Sequence, residues 1–185
     1  MGTSTELSEA ERIEQLERQV EDLKAQMPED RATIVVFSGD LDKALAAFVI
    51  ATGAAAAGLE TSMFFTFWGL CVLKKKGGRA SDHQSIKEKM FGMMTPSSAA
   101  ELGVSRMNFF GIGASMLRSM MKEKNVATLD ELMDVAKDLG VKMIACTMSM
   151  DVMGVGKDQL IDNLEYGGVA TYMADASRSK VTLFI

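Results

Sequence analysis

Apolar residues recur with a helical rhythm at the start of the chain. Ile13, Leu16, Val20, Leu23 and Met27 follow alternating spacings of three and four among charged neighbours, which is a heptad seam. Ile13 and Val20 fall at a positions, Leu16 and Leu23 at d. β-Branched a residues with leucine at d favour parallel pairs of helices, and Arg12 at g can meet Glu17 at e of a partner. Ser8 with Glu11 three residues on makes a capping box, and Pro28 stops the helix. The pattern therefore predicts a coiled-coil-like helix within residues 1–28. It either self-associates or docks on its own domain, and the seam favours self-association.

From residue 32 the period changes. "ATIVVF" (32–37) is a β-branched run that predicts a buried strand. "SGD" turns, with Asp40 as a helix cap. "LDKALAAFVIATGAAAAG" reads as an alanine-rich helix ended by Gly58. "ETSMFFTF" (60–67) predicts a second strand, and "WGLCVLKKKGG" a short helix. Residues 76–110 carry glycine, proline and serine around one short amphipathic piece, a segment long enough to cover something. "GASMLRSMMKEKN" and "TLDELMDVAKDLG" predict helices, the second with Thr128 and Glu131 as a capping box and Leu129, Leu132, Met133, Ala136 and Leu139 on one face. "VKMIA" (141–145) predicts a strand, "KDQLIDNLEYGG" a helix ended by Gly167, "VATYMADASRS" a short helix, and "KVTLFI" a closing strand. This alternation implies right-handed βαβ units: an α/β domain over 32–185, with a mostly parallel sheet covered by helices on both faces.

Composition narrows the function. Of 185 residues 48% are hydrophobic, enough for a core. The net charge of −5 argues against non-specific nucleic-acid binding, which needs a basic face. Two cysteines are too few for a disulfide framework and fit reduced cytoplasmic thiols. The first thirty residues are acidic and lack the continuous apolar stretch of a secretory leader. No window reaches the ~18 apolar residues of a membrane span, which predicts no stable membrane insertion.

In an open parallel sheet, ligands bind beyond the carboxyl ends of the strands. Three candidate loops leave those ends: "SGD" (38–40), "WGLC" (68–71) and "CTMSMD" (146–151). Cys146 is the first residue past its strand, where backbone N–H groups of the next turn can stabilise a thiolate. Thr147 and Ser149 add hydroxyls, while Asp151 opposes. The same residue can equally be a buried structural cysteine. For Cys71 a structural role is favoured. Met148, Met150 and Met153 near Cys146 fill core, line an adaptable pocket or offer a soft Cu(I) site; Met90 and Met93 are a lone Met-x-x-Met pair. His83, the sole histidine, reads as a surface residue. Zinc lacks ligands at usable spacing, and no Walker loop or complete dinucleotide fingerprint appears.

"IVVFSGDLDKALAAFVIATGAAAAG", "FTFWGL", "KEKMFGMM", "SRMNFFGIG" and "VKMIACTMSMDVMGV" together resemble the DsrE/DsrF-like family, in its branch with the "ACTMSMDVMG" motif. The resemblance runs from about residue 32 to the C-terminus and excludes the heptad segment. It implies a three-layer α/β/α fold, assembly as homo- or hetero-oligomers, and work as a persulfide carrier or sulfurtransferase beside rhodanese-like and other sulfur-relay proteins. It carries the motif cysteine onto Cys146, whereas Cys71 lies outside the motif. The resulting expectation is a cytoplasmic carrier of sulfane sulfur that needs neither metal nor organic cofactor. Cys146 and Cys71 are the candidate reactive residues; Ser38, Gly39, Trp68, Gly69, Thr147, Met148 and Ser149 are the candidate substrate contacts. The alternative is a non-catalytic binding or regulatory module for a small anion or thiol metabolite.

Overall fold

The computed structural model describes residues 8–75, 96, 98–106 and 108–185. The covering segment predicted over 76–110 falls largely outside them, as do His83, Met90, Met93 and Met94.

Strands β1 (Glu29–Val36), β2 (Glu60–Phe65), β3 (Lys142–Cys146), β4 (Glu165–Gly167) and β5 (Ser179–Phe184) form a 5-stranded sheet in the order β4-β3-β2-β1-β5. Every pairing is parallel, so all carboxyl ends share one edge. Alternation along the strands sorts side chains between two faces. Ile34, Val36, Met63, Phe65, Met143 and Ala145 join the main core. There they meet helix α2 (Leu41–Ala56), which buries Leu41, Ala44, Ala47, Phe48 and Ala51. Small residues at three of those positions let the helix lie close to the sheet. Helix α3 (Ile112–Glu123) and helix α4 (Leu129–Asp138) lie further along the chain, α4 against α2. Phe64, Ile144 and Cys146 point to the other face, which helix α6 (Val169–Ala176) covers with Tyr172. This is the α/β/α arrangement that the alternation predicts. Arg31 ties α6 down: its buried guanidinium donates to Asp175 Oδ1 at 2.5 Å and to Glu60 Oε2 at 2.7 Å.

The local signals of helix α1 (Glu9–Gln26) and of α4 hold in detail. Ser8 with Glu11, and Thr128 with Glu131, form complete capping boxes. α1 buries no residue, and its five seam positions are 47% to 63% exposed. Among the described residues, α1 therefore buries none of its seam against the α/β domain. None of the described helices is long and apolar enough to cross a membrane.

Four expectations need correction. Residues 157–168 are not a helix: a 3-10 turn at Lys157–Gln159 leads to β4, and Gly167 pairs with Cys146 instead of ending a helix. Leu160 is drawn fully into the core, and Ile161 N–H donates to the Leu73 carbonyl at 2.9 Å. Those tertiary contacts outweigh a weak helical period. "CTMSMD" is not a loop but opens helix α5 (Thr147–Met153) directly from β3. Asp40 sits at the N-cap of α2 without a side-chain bond to the helix; its Oδ2 accepts from Ser38 and Lys43. Leu139 is half exposed rather than facing inward.

Candidate functional site

The carboxyl edge is built by close backbone approach. Gly69 N–H donates to the Phe37 carbonyl at 2.8 Å and to the Thr66 carbonyl at 3.0 Å. A Cβ on Gly69 would lie 2.0 Å from the Val36 carbonyl oxygen, and one on Gly39 would lie 2.7 Å from the Trp68 carbonyl oxygen. Both glycines, candidate substrate contacts in the sequence, thus let the loop after β1 seat against the 3-10 turn Phe67–Leu73 after β2. Phe67 opens that turn at φ 47°, a left-handed conformation that costs a non-glycine residue about 1 kcal/mol or more. Its ring meets Phe37, which also stacks on Phe184 at 5.7 Å.

Beside this junction lies a cavity of about 490 Å³, lined by Ser38, Gly39, Lys43, Trp68, Cys71 and Asn108 among others. Ser38 Oγ donates to Asp40 Oδ2 at 2.9 Å, and Lys43 Nζ donates to the same oxygen at 2.8 Å. That bond raises the lysine pKa, with the Asp40 charge reinforcing it, so Lys43 stays cationic. Cys71 is 1% exposed. Burial pushes its thiol above the ordinary value, against the weaker pull of Lys74. A protonated, dry thiol is a poor nucleophile. Asp40 also lines the cavity, so a small polar or anionic group bound beside Lys43 and Ser38 would compete with that carboxylate for both donors, with Trp68 as an apolar wall.

Cys146 lies elsewhere on the same edge. It is the last residue of β3 and the N-cap of α5. Its thiol is 3% exposed and packs with Phe64, Ile144 and Tyr172. Cys71 belongs to the main core, so the two thiols pack on opposite faces of the sheet. The buried neighbours of Cys146 among the described residues are therefore aromatic and aliphatic. Met150 and Met153 sit in the main core, while Met148 is 55% exposed. Thr147 is exposed, and Ser149 is fully buried. Ser149 Oγ shares a 2.8 Å hydrogen bond with Thr66 Oγ1, joining α5 to the end of β2. Gly167 pairs with Cys146, and a Cβ there would stand 2.6 Å from Thr171 Oγ1. The turn from β4 to α6 therefore closes tightly beside the thiol. Ser38, Gly39, Trp68 and Cys71 thus gather at one cavity, and Cys146, Thr147 and Ser149 at a second position.

Thr66, Lys43, Asn108 and Tyr172 were not singled out by the sequence. Lys43 had a usable signal, one turn into the helix that follows "SGD". Tyr172 had none, because its meeting with Cys146 depends on the order in which strands assemble.

A parallel five-stranded sheet, a carboxyl-edge cysteine and a helix springing straight from it define a class, and comparison with known proteins agrees. The chain belongs to the DsrE/DsrF/DrsH-like family, whose profile matches residues 28–184. It is 48% identical over 155 residues to the uncharacterized protein YrkE of Bacillus subtilis (strain 168), covering 84% of this chain and 96% of that one. It is 34% identical over 159 residues to the sulfur carrier protein DsrE2 of Allochromatium vinosum, covering 86% of this chain and 100% of that one.

Proposed function

We propose that this protein is a cytoplasmic sulfur carrier that holds a persulfide on Cys146 and hands sulfane sulfur to sulfur-relay partners. The observation that carries the reading is the position of Cys146 at the carboxyl end of β3, in a chain similar along nearly its whole α/β domain to a protein named as a sulfur carrier. Loading is a thiol exchange. The Cys146 thiolate attacks the outer sulfur of a persulfide, R–S–SH; a new S–S bond forms as the old one breaks, giving Cys146–S–SH and R–S⁻. Delivery is the same step with an acceptor thiolate attacking the outer sulfur and Cys146 leaving as thiolate. No metal, cofactor or outside oxidant enters either step.

Burial shapes the exchange. At 3% exposure the thiol is shielded from stray small thiols, and a donor must displace a neighbour to reach it. The cover is thin there: Tyr172 is only half-buried, and α6 has no buried residue. Exposed Thr147 and Met148 lie next in the chain, where a partner docking at the edge would touch them. Rhodanese-like and other persulfide-handling proteins fit as partners, because each can offer the R–S–SH group that loading requires. Repeated passage between two of them would amount to sulfurtransferase activity.

The cavity beside Lys43 favours a second reading, a binding or regulatory site for a small anion or thiol metabolite. Intact mass after incubation with polysulfide separates the two. Carrier function predicts a gain of one sulfur atom or more that reductant removes and Cys146→Ser abolishes. An unmodified mass, with an anion protecting the protein against unfolding, would sink the carrier and leave the binding module.

A further inference from the structure

We infer that α1 pairs in parallel with α1 of a second copy of this chain, joining two α/β domains at the amino edges of their sheets and leaving both carboxyl edges open. The family match begins at residue 28, past the end of α1, so the helix is an addition to the family's own fold. It is a well-formed helix of 18 residues with its first turn capped, yet none of its residues is buried. Ile13, Leu16, Val20, Leu23 and Met27 make a continuous apolar seam, each 47% to 63% exposed. The ion pair between Arg18 and Glu14 falls at f and b, on the back of the helix, and leaves the seam clear.

Charge selects both the occupant and its direction. In a parallel pair, g of one helix faces the following e of the other. Arg12 then meets Glu17 of the second copy, and the symmetry makes that contact twice. The next such pair is Gln19 with Lys24, which carries no repulsion. An antiparallel pair that keeps the same apolar layers sets Ile13 against Leu23 and Leu16 against Val20. It also brings Glu17 beside its own counterpart, like charge against like. β-Branched a residues with leucine at d favour two parallel strands on packing grounds too.

The consequence for the site follows from connectivity. α1 ends at Gln26 and β1 starts at Glu29, so the linker cannot carry the domain far from the seam. Strand β1 enters at the amino edge, and Cys146 and the Lys43 cavity lie at the opposite, carboxyl edge. The pair thus carries two separate, outward-facing sites instead of one shared site. The seam is short, and short helices need partners to persist, so the dimer is reversible and concentration-dependent.

The full-length chain with Val20→Cys tests this, since a residues face their own counterparts only in a parallel, in-register pair. Diamide should convert most of it to a covalent dimer with the 20–20 disulfide found by peptide mapping. The native cysteines, 1% and 3% exposed, should stay out of that bond. Arg12→Glu should lower the dimer fraction in sedimentation several-fold, and Arg12→Glu with Glu17→Arg should restore it. A monomeric wild-type chain at high micromolar concentration would overturn the inference. So would cross-linking of an Ile13→Cys and Leu23→Cys mixture in place of the 20–20 bond, or an oligomer indifferent to both charge variants.

Discussion

At Cys146 an apolar shell and a strand end meet, and the side chain cannot be exchanged without consequence for chemistry. Cys146→Ser keeps the size and should keep the fold while removing sulfur loading altogether, read as the loss of the added mass after polysulfide treatment. Cys71→Ser should retain most of the loading, because that thiol is dry, protonated and on the opposite face of the sheet. Equal loss in both variants would contradict a single carrier residue. Gly69 is a second decisive position, for a steric reason. Its missing Cβ leaves room for the Val36 carbonyl, which a Cβ would approach to 2.0 Å. Gly69→Ala forces the 3-10 turn away from β1 and should cost about 3 kcal/mol or more, read as a lowered urea midpoint. Gly53, where a Cβ meets nothing, is the control: Gly53→Ala lies inside α2 and should stabilise it by a few tenths to about 1 kcal/mol.

Among the elements, α5 is the one whose placement governs the candidate carrier site. It starts with no intervening turn after β3, and its footing is the buried Thr66–Ser149 hydrogen bond. Ser149→Ala leaves the Thr66 hydroxyl without its buried partner, a loss worth about 1–3 kcal/mol. The double variant with Thr66→Val should recover part of it, as denaturant titration of the three variants would show. The amino edge depends on charge instead. Lys142 Nζ donates to Glu60, and that bond first, then the nearby Lys142 and Arg31 charges, hold the Glu60 carboxyl below its ordinary 4.5. A carboxylate with a depressed folded pKa adds stability above its unfolded value, and the gain disappears as pH falls through the folded one. The wild type should therefore lose stability from about pH 4.5 downward more steeply than Glu60→Gln, as thermal melts across that range will reveal. The group is largely exposed, so the difference is small and shrinks with added salt.

For the whole molecule, the separation of α1 from the sheet has a thermodynamic signature. Because α1 buries no residue of its own, a chain starting at Glu29 should keep the unfolding midpoint of the α/β domain at concentrations where the full chain is monomeric. At higher concentrations only the full chain should gain stability, by mass action. A midpoint that falls on truncation at every concentration would mean that α1 supports the domain directly. What the amino-acid order decides alone is local. The Ser8–Glu11 and Thr128–Glu131 boxes, the seam of α1, the alternation of strand and helix and the carboxyl-edge position of both cysteines rest on contacts within a few residues or on the handedness of βαβ units, and each is legible along the chain. The short-range signals fail where long-range contacts outweigh them: the segment read as a helix at 157–168 became β4 because β3 had an open edge and the core had room for Leu160. Strand order and strand parity decided the rest. They sent Cys146 to the face opposite the main core that holds Cys71, set it against Tyr172, and made Gly39 and Gly69 points of close backbone approach. Those outcomes depend on which distant segments become neighbours when the sheet closes, and no spacing between adjacent residues encodes that.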